Sequence, residues 1–414
     1  MAATTAKTKN GGFKLITGDK VLWVIMVALT VISILVVYSS SAKMGYNVRD
    51  THTVTDLLRE QIINVIICAF ALLIGHKINC RIYGRLAWWL YGFCWLLTLA
   101  PYFIDSSINN AHRWIFGVQP NEALKIATVI LLARQLAACQ STIDKMRIVP
   151  SLNPMKWALP EQKKIWREGT MPILMPVIMA CAVILPAHTS AALLVFVISL
   201  IMMYVGRVRR TELLKIILLA GAMGMLLSVA RFGRTETAGG RFSTWTQTLL
   251  ESRTNVSANN LTDTERSMIA IYEGGLFGKG AGQSAVRVEL THPECDYTFA
   301  FFVEEYGLFM ALIVMSFYMW IAVRGIVIFT RCETAFPGLL VLGMVMIVAL
   351  QALLHIFVSV NFFPETGQTL PFISRGGSSM LFATAAMAIV LSVRRPHDEK
   401  SHEKPRGESM LERG

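Results

Sequence analysis

Charge is scarce in this 414-residue chain: Asp, Glu, Lys and Arg together make up 16% of it, against 54% hydrophobic residues. Soluble domains carry about 25% charged residues, so the scarcity excludes an ordinary water-soluble globule. Cysteine is thinly spread too. Of the seven cysteines (68, 80, 94, 139, 181, 295 and 332), only Cys295 falls clearly in a segment read as external, which excludes an external intramolecular disulfide. Nucleotide motifs are missing. The run "GGLFGKGAGQS" (274–284) has Gly278-Lys279 without the glycine spacing of a phosphate loop, and Gly280 follows the lysine where serine or threonine is required. No RNA- or DNA-binding pattern accompanies the net charge of +12, so no nucleic-acid partner is expected; the surplus reads as membrane topology and attraction to anionic lipid.

What the chain has in abundance is apolar runs of roughly 20 residues, the length that crosses a bilayer as a helix. About ten are present, near 21–41, 58–75, 83–104, 120–139, 171–186, 188–205, 211–230, 298–323, 337–359 and 376–393. The expected fold is therefore an all-α polytopic membrane protein with about ten transmembrane helices. A long extracytoplasmic loop, 231–297, separates the seventh and eighth. The first apolar run, 21 residues, exceeds a signal-peptide core and reads as an uncleaved first helix.

Lys and Arg set the orientation, because cationic loops stay in the cytoplasm. With the N-terminus inside, the inward segments hold 25 of the 39 Lys and Arg and the outward ones 11, of which seven lie in the one long loop. Both termini are expected to be cytoplasmic. This divides the chain into a cytoplasmic N-terminus (1–20), a transmembrane domain (21–393) that includes the 231–297 loop, and a charged tail (394–414) whose composition predicts disorder. The basic segment "WALPEQKKIWREG" is either a plain connector or a strip resting on lipid through Trp157, Ile165 and Trp166. In the long loop, Met268, Ile269, Ile271 and Tyr272 form a short amphipathic turn suited to the outer leaflet. The sequons at Asn255 and Asn260 are taken as chance matches.

A charge placed in hydrocarbon costs at least about 2.5–3.5 kcal/mol, so ionisable residues inside apolar runs are functional candidates. Glu122 and Lys125 are three apart, share a helix face and can neutralise each other. Glu304 and Glu305 follow Asp296 by eight and nine residues, which puts them about 12–14 Å further along a helix. They need partners from other helices and read as a structural or gating network. Asp296 stands where its helix emerges, and either caps the helix or acts as a catalytic carboxylate. The glycine run beside it is either a hinge or a strip of open N–H groups, with Lys279, that lets a diphosphate approach.

Five dispersed stretches carry a resemblance. They are His112-Arg113-Trp114-Ile115, "QPNEALK" (119–125), "GGLFGKGAG" (274–282), Asp296 followed by "YTFAFFVEEYG", and "PETGQTLPFISRGGSS" (364–379). In this order they resemble the SEDS family of polytopic membrane proteins, with FtsW as its division branch and RodA as its elongation branch. "TGQTLP" leans to the division branch. There are departures. The family's Gln-Pro-Asp-Leu-Gly-Thr is here "LPAHTSAA" (185–192), its Thr before the key Asp is Cys295, its Leu-Pro upstream is His292-Pro293, its Tyr in Ser-Tyr-Gly-Gly is Arg375, and its Asn-x-Gly after Gln351 is His355-Ile356-Phe357.

The resemblance implies a peptidoglycan glycosyltransferase that polymerises lipid II into glycan strands during septal wall synthesis. Asp296 would be general base on the acceptor 4-hydroxyl. Arg113, Lys125, Lys279 and Arg375 would face the departing undecaprenyl diphosphate, with Trp114, Glu122, Ser374, Gly376 and Gly377 in the substrate site and Glu304 and Glu305 as supports. A divalent cation, Mg or Mn, is an optional helper with Asp296 as its possible ligand. The resemblance also implies a class B penicillin-binding protein (a transpeptidase) and division-complex proteins as partners, and a multi-pass location in the bacterial cytoplasmic membrane at the septum. A lipid II flippase, an elongation polymerase and a scaffold for division proteins are the alternatives.

Overall fold

The computed structural model describes residues 18–41, 54–103, 117–143, 146–147, 164, 166–229, 239–243, 245–246, 261–285 and 295–393. Arg113, Trp114, Trp157, Ile165, Asn255, Asn260, His292-Pro293 and the tail lie outside them. The long helices are α1 (Lys20–Ser41), α2 (Val54–Gly75), α3 (Cys80–Leu99), α4 (Pro120–Ala138), α5 (Met171–Ile184), α6 (Thr189–Val205), α7 (Arg210–Val229), α8 (Asp263–Gly274), α9 (Thr298–Thr330), α10 (Ala335–Ser359) and α11 (Gly377–Ser392). Each of the ten apolar segments coincides with one of them. Five helical stretches are long and apolar enough to cross a membrane by length and composition: Lys20–Ser40, Leu58–Gly75, Trp166–Ile184, Thr298–Thr330 and Ala335–Ser359.

Local chemistry explains the boundaries. Asn79 opens α3 by accepting the Arg81 N–H at 3.1 Å. Pro120 occupies the first turn of α4, where its missing N–H costs nothing. The 171–205 stretch divides into α5 and α6 because His188 caps α6, its Nδ1 accepting the Ala191 N–H at 3.2 Å. The amphipathic turn of the long loop is α8, opened by a reciprocal capping box between Thr262 and Glu265. Its Tyr272 is exposed, whereas Ser267 is buried and donates to the Ser359 carbonyl at 2.8 Å, so α8 is fastened to the end of α10.

The centre of the bundle is α4 packed against α3 and α10, and nearly every residue of α4 is buried. A polar side chain on α4 must therefore meet protein rather than water. Around this core Trp89, Phe93, Leu218, Met225 and Trp320 are exposed, as a lipid-facing surface requires. Helices α1 and α9 are joined at both ends. The Arg324 Nε donates to Asp19 Oδ2 at 3.1 Å, and the Ser39 Oγ donates to Glu305 Oε1 at 2.7 Å. From Asp19 to Ser39 the helix rises about 30 Å, which is the thickness of the hydrocarbon core. The two polar joints are thus separated by about the thickness of the hydrocarbon core.

Candidate active site

Asp296 is half-buried just before α9, and the capping position of that helix is Tyr297, so Asp296 stands one residue outside the cap. The residues around it are fixed by two segments distant in sequence. The carbonyl of Cys295 accepts from Ser374 Oγ and from Thr298 Oγ1, each at 3.2 Å, and these two hydroxyls meet at 2.8 Å. Ser374 also accepts the Leu370 N–H at 2.8 Å, which ties the 364–379 loop to itself. On the other side, the Phe299 N–H donates to His355 Nε2 at 3.3 Å, and His355 Nδ1 lies 2.7 Å from the Gln368 carbonyl. A backbone N–H can only donate, so Nε2 is the acceptor and Nδ1 carries the proton. His355 is thereby held as one neutral tautomer, buried, with both nitrogens used.

His188 belongs to the same arrangement. Its Nδ1 lies 3.3 Å from Gln368 Nε2 and 3.1 Å from Ser190 Oγ, and Ser190 donates to the Thr366 carbonyl at 2.7 Å. Two of the departures from the family pattern, His188 and His355, meet on Gln368. The segment that lost an acid and the segment that lost an asparagine are thus in contact with each other through one loop residue.

A second carboxylate is within electrostatic range of Asp296. Glu365 is raised above the usual carboxylate range by burial first, and further by Asp296 and Asp263, while Arg241 opposes the rise. The Arg241 Nη1 donates to the Glu365 carbonyl at 3.3 Å, and its Nε lies 3.8 Å from the carboxylate. Among the described residues, no group of three or more His, Cys, Asp or Glu is placed to hold a metal ion. A divalent cation caged by protein carboxylates does not fit this donor set.

The glycine run and the Glu304–Glu305 pair turn out to be two halves of one unit. Helix α9 breaks at Gly307 (φ 82°, ψ 167°), and the strip 275–280 fills the break. The Lys279 and Gly280 N–H groups donate to the Glu304 and Glu305 carbonyls at 2.9 and 3.0 Å, and the Leu308 and Phe309 N–H groups donate to the Gly275 and Leu276 carbonyls at 2.9 and 3.2 Å. These bonds replace those the helix loses. The contact is so close that a Cβ at Gly278 would lie 2.2 Å from the Glu305 carbonyl oxygen, and one at Gly307 2.4 Å from that of Leu276.

The two carboxylates complete the joint. Glu304 Oε1 accepts from Lys279 Nζ and from the Ala285 N–H, each at 2.9 Å, and its other oxygen accepts from Ser284 Oγ. Glu305 Oε1 accepts from Ser39 on α1 and from the Gly282 N–H at 3.0 Å. Only Glu305 takes its partner from another long helix; Glu304 is satisfied by the loop. Lys279, expected to face a diphosphate, is held by Glu304 and Glu273, and its pKa is raised above the usual lysine value by Glu273 foremost. The Lys279 and Gly280 amides are spent on α9, and those of Gly275 and Gly278 on the Tyr272 and Gly274 carbonyls of α8.

Lys125 and Glu122 form the pair their spacing predicts, at 2.7 Å, with Lys125 only 1% exposed. Lys125 also donates to Gln351 on α10 at 3.0 Å, and Gln351 donates to the Thr369 carbonyl at 3.1 Å. This anchors the 364–379 loop from below. Removing one member of such a buried pair is strongly destabilising, because the other charge is stranded. Arg375 pairs with Glu60 of α2 at 3.0 Å, at an exposed position. Gly376 precedes α11 as its cap, and Gly377 abuts α2, where a Cβ would lie 3.0 Å from the Asn64 amide. Ser374 and Asp296 are therefore brought together, while Lys125, Lys279 and the Glu pair support the two segments that hold them. Gln368 and Ser284 were not anticipated. The signal for Gln368 was its place in the 364–379 stretch, next to residues already singled out.

Comparison with known proteins places the chain. The profile of the FtsW/RodA/SpoVE family, described as cell cycle protein, matches residues 19–399. Probable peptidoglycan glycosyltransferase FtsW of Geobacter metallireducens is 25% identical over 383 residues, covering 91% of this chain and 94% of that one. Stage V sporulation protein E of Bacillus subtilis is 26% identical over 390 residues, covering 91% and 97%. Among solved structures, a chain from a peptidoglycan synthase complex that coordinates polymerization and crosslinking aligns at a TM-score of 0.65 with 17% identity, over 94% of this chain and 99% of that one. The rod shape determining protein RodA of Thermus thermophilus aligns at 0.59 with 20% identity, over 91% and 96%. At these identities the structural likeness speaks for the fold.

Proposed function

The chain belongs to the FtsW/RodA/SpoVE family of cell cycle proteins, and from that premise we propose that it is a peptidoglycan glycosyltransferase with Asp296 as its general base. The observation that carries this reading is the way Asp296 is held. It sits at the mouth of α9, half-exposed, with the carbonyl before it bonded to Ser374 and the turn after it bonded to His355. A carboxylate presented from a backbone braced on both sides is the pre-organisation that proton abstraction needs.

In the reaction, the 4-hydroxyl of one lipid-linked disaccharide gives its proton to the Asp296 carboxylate. Its oxygen forms a bond to the anomeric carbon of the second disaccharide, and the bond from that carbon to the diphosphate breaks. Undecaprenyl diphosphate leaves with the electron pair. Its charge calls for cationic donors near the exit. Lys125 and Lys279 are committed to carboxylates, so this role falls to Arg113 and to Arg375, whose exposed ion pair with Glu60 is exchangeable. Trp114, Gly376 and Gly377 then border the substrate. Both termini are cytoplasmic in this reading, and 231–297 faces outward. The work is done at the septum beside a class B penicillin-binding protein, in keeping with the synthase complex that shares the fold.

Purified protein in liposomes with lipid II, together with such a transpeptidase, is expected to yield glycan strands. Movement of labelled lipid II across the bilayer with no polymer formed would replace this reading by that of a transporter.

His355 supplies a second test. His355→Asn keeps a donor and an acceptor and should polymerise lipid II within about 3-fold of the parent. His355→Phe leaves the Phe299 N–H and the Gln368 carbonyl without partners, at about 1–3 kcal/mol each, and should lose about 10-fold or more in rate at saturating lipid II. Equal rates for the two variants would remove His355 from the bracing of Asp296.

A further inference from the structure

A pocket of about 310 Å³ opens between α3, α4 and α10, lined by Arg81, Gly84, Arg85, Arg134 and Phe336. It lies at the opposite end of the bundle from Asp296. Arg81 is the second residue of α3, Phe336 the second of α10, and Arg134 is in the last turn and a half of α4. These ends border the segments that the Lys and Arg distribution makes cytoplasmic.

Arg81 and Arg85 are four apart and share a face of α3. Arg134 comes across from α4, where its Nη1 donates to the Arg85 carbonyl at 3.5 Å. Gly84 between them lies against the Phe336 ring, which a Cβ would approach to 3.0 Å, so the floor is flat and the space above it stays open. Among the described residues no carboxylate pairs with any of the three guanidiniums, unlike Lys125, Lys215, Arg241, Arg266, Lys279, Arg324 and Arg375, each of which has one. Three like charges without a carboxylate line one open surface pocket, Arg81 and Arg85 at exposed positions and Arg134 half-buried, and a bound anion would relieve their mutual repulsion.

We infer that this pocket binds a phosphate-bearing anion. Guanidinium groups match phosphate oxygens with paired N–H donors, and three of them from two helices surround a group of that size. The pocket stands at the level where phospholipid headgroups of the inner leaflet lie, and basic pockets between membrane helices on the cytoplasmic side take anionic headgroups. The chemistry is a phosphate; its source is either such a lipid or free phosphate. The inference is independent of the role of Asp296.

The full-length protein in mixed micelles, followed by native mass spectrometry, tests it with three probes: phosphatidylglycerol, phosphatidylcholine and inorganic phosphate. Wild type is expected to retain phosphatidylglycerol over phosphatidylcholine by about 10-fold or more, and the Arg81→Gln, Arg85→Gln, Arg134→Gln variant to lose that preference while melting with the parent. An Arg-to-Lys variant at the same three positions keeps the charge without the fork and should fall between them. Displacement of the lipid by millimolar inorganic phosphate would identify the phosphate itself as the ligand; retention against it would identify the headgroup with its chains. Equal retention by the wild type and the glutamine variant, or equal retention of the two lipids by the wild type, would overturn the inference.

Discussion

Asp296→Asn should lower the rate of glycan polymerisation from lipid II by about 100-fold to 10,000-fold, the range a positioned general base contributes. Asparagine matches aspartate in size and keeps an oxygen acceptor, so what it removes is the ability to take a proton. The variant should fold as the parent does, because asparagine fills the same space and leaves in place the bonds made by the Cys295 carbonyl, the Thr298 hydroxyl and the Phe299 N–H around this turn. Its affinity for lipid II should also persist. A loss confined to turnover is the signature of a group acting in the transition state. Turnover within a few-fold of the parent, with the transpeptidase partner present, would take Asp296 out of the chemistry. Loss of activity together with loss of the folded state would point to a bracing role instead.

The largest effect on stability is expected from Gly307→Ala. Its φ of 82° with ψ of 167° is a conformation that residues with a side chain reach at a cost of about 1–3 kcal/mol. In addition the new methyl would lie 2.4 Å from the Leu276 carbonyl oxygen and 2.5 Å from the Phe277 carbonyl carbon. These are backbone atoms, so the strip 275–280 would have to move away from α9 as a piece. The backbone bonds that fill the break would go with it, and Glu304 would lose Lys279. Each stranded buried polar group costs about 1–3 kcal/mol, so the total should exceed about 3 kcal/mol. Gly282→Ala is the internal control: its φ of 81° is also positive, yet a Cβ there meets nothing within 4 Å. It should cost only the conformational strain. Thermal unfolding in detergent, read by tryptophan fluorescence, should rank Gly307→Ala well below Gly282→Ala. If the two melted together, the strip would not be the filling of the helix break.

Much of the scaffold was legible because apolar runs of membrane length leave few alternatives: each run became a helix, and α5 and α6 separated at Leu185–His188, overlapping the Pro186–Ser190 break read from the sequence. Glu122 and Lys125 were legible for a related reason, since three residues on one helix fix their distance whatever surrounds them. Asp296 was singled out as a candidate through its place at the mouth of a helix and through the resemblance. The meaning of the glycine run was not legible. Glycines beside a lysine suggest a phosphate cradle, whereas here the Lys279 and Gly280 amides are consumed by the carbonyls of Glu304 and Glu305, some 25 residues further on. Nor did Gly307 announce a break, because one glycine in an apolar run is compatible with continuous helix.

By itself the sequence determined the class of protein and the placing of its helices, and it singled out Asp296 as a candidate, because hydrophobicity and helical periodicity act over short spans. Only the tertiary structure decided which cations are available, by pairing Lys125 and Lys279 with acids. It alone joined His188, Gln368 and His355. Hydrogen bonds and ion pairs are satisfied by whichever groups the fold brings within about 3 Å, and no local pattern records a neighbour from a distant helix.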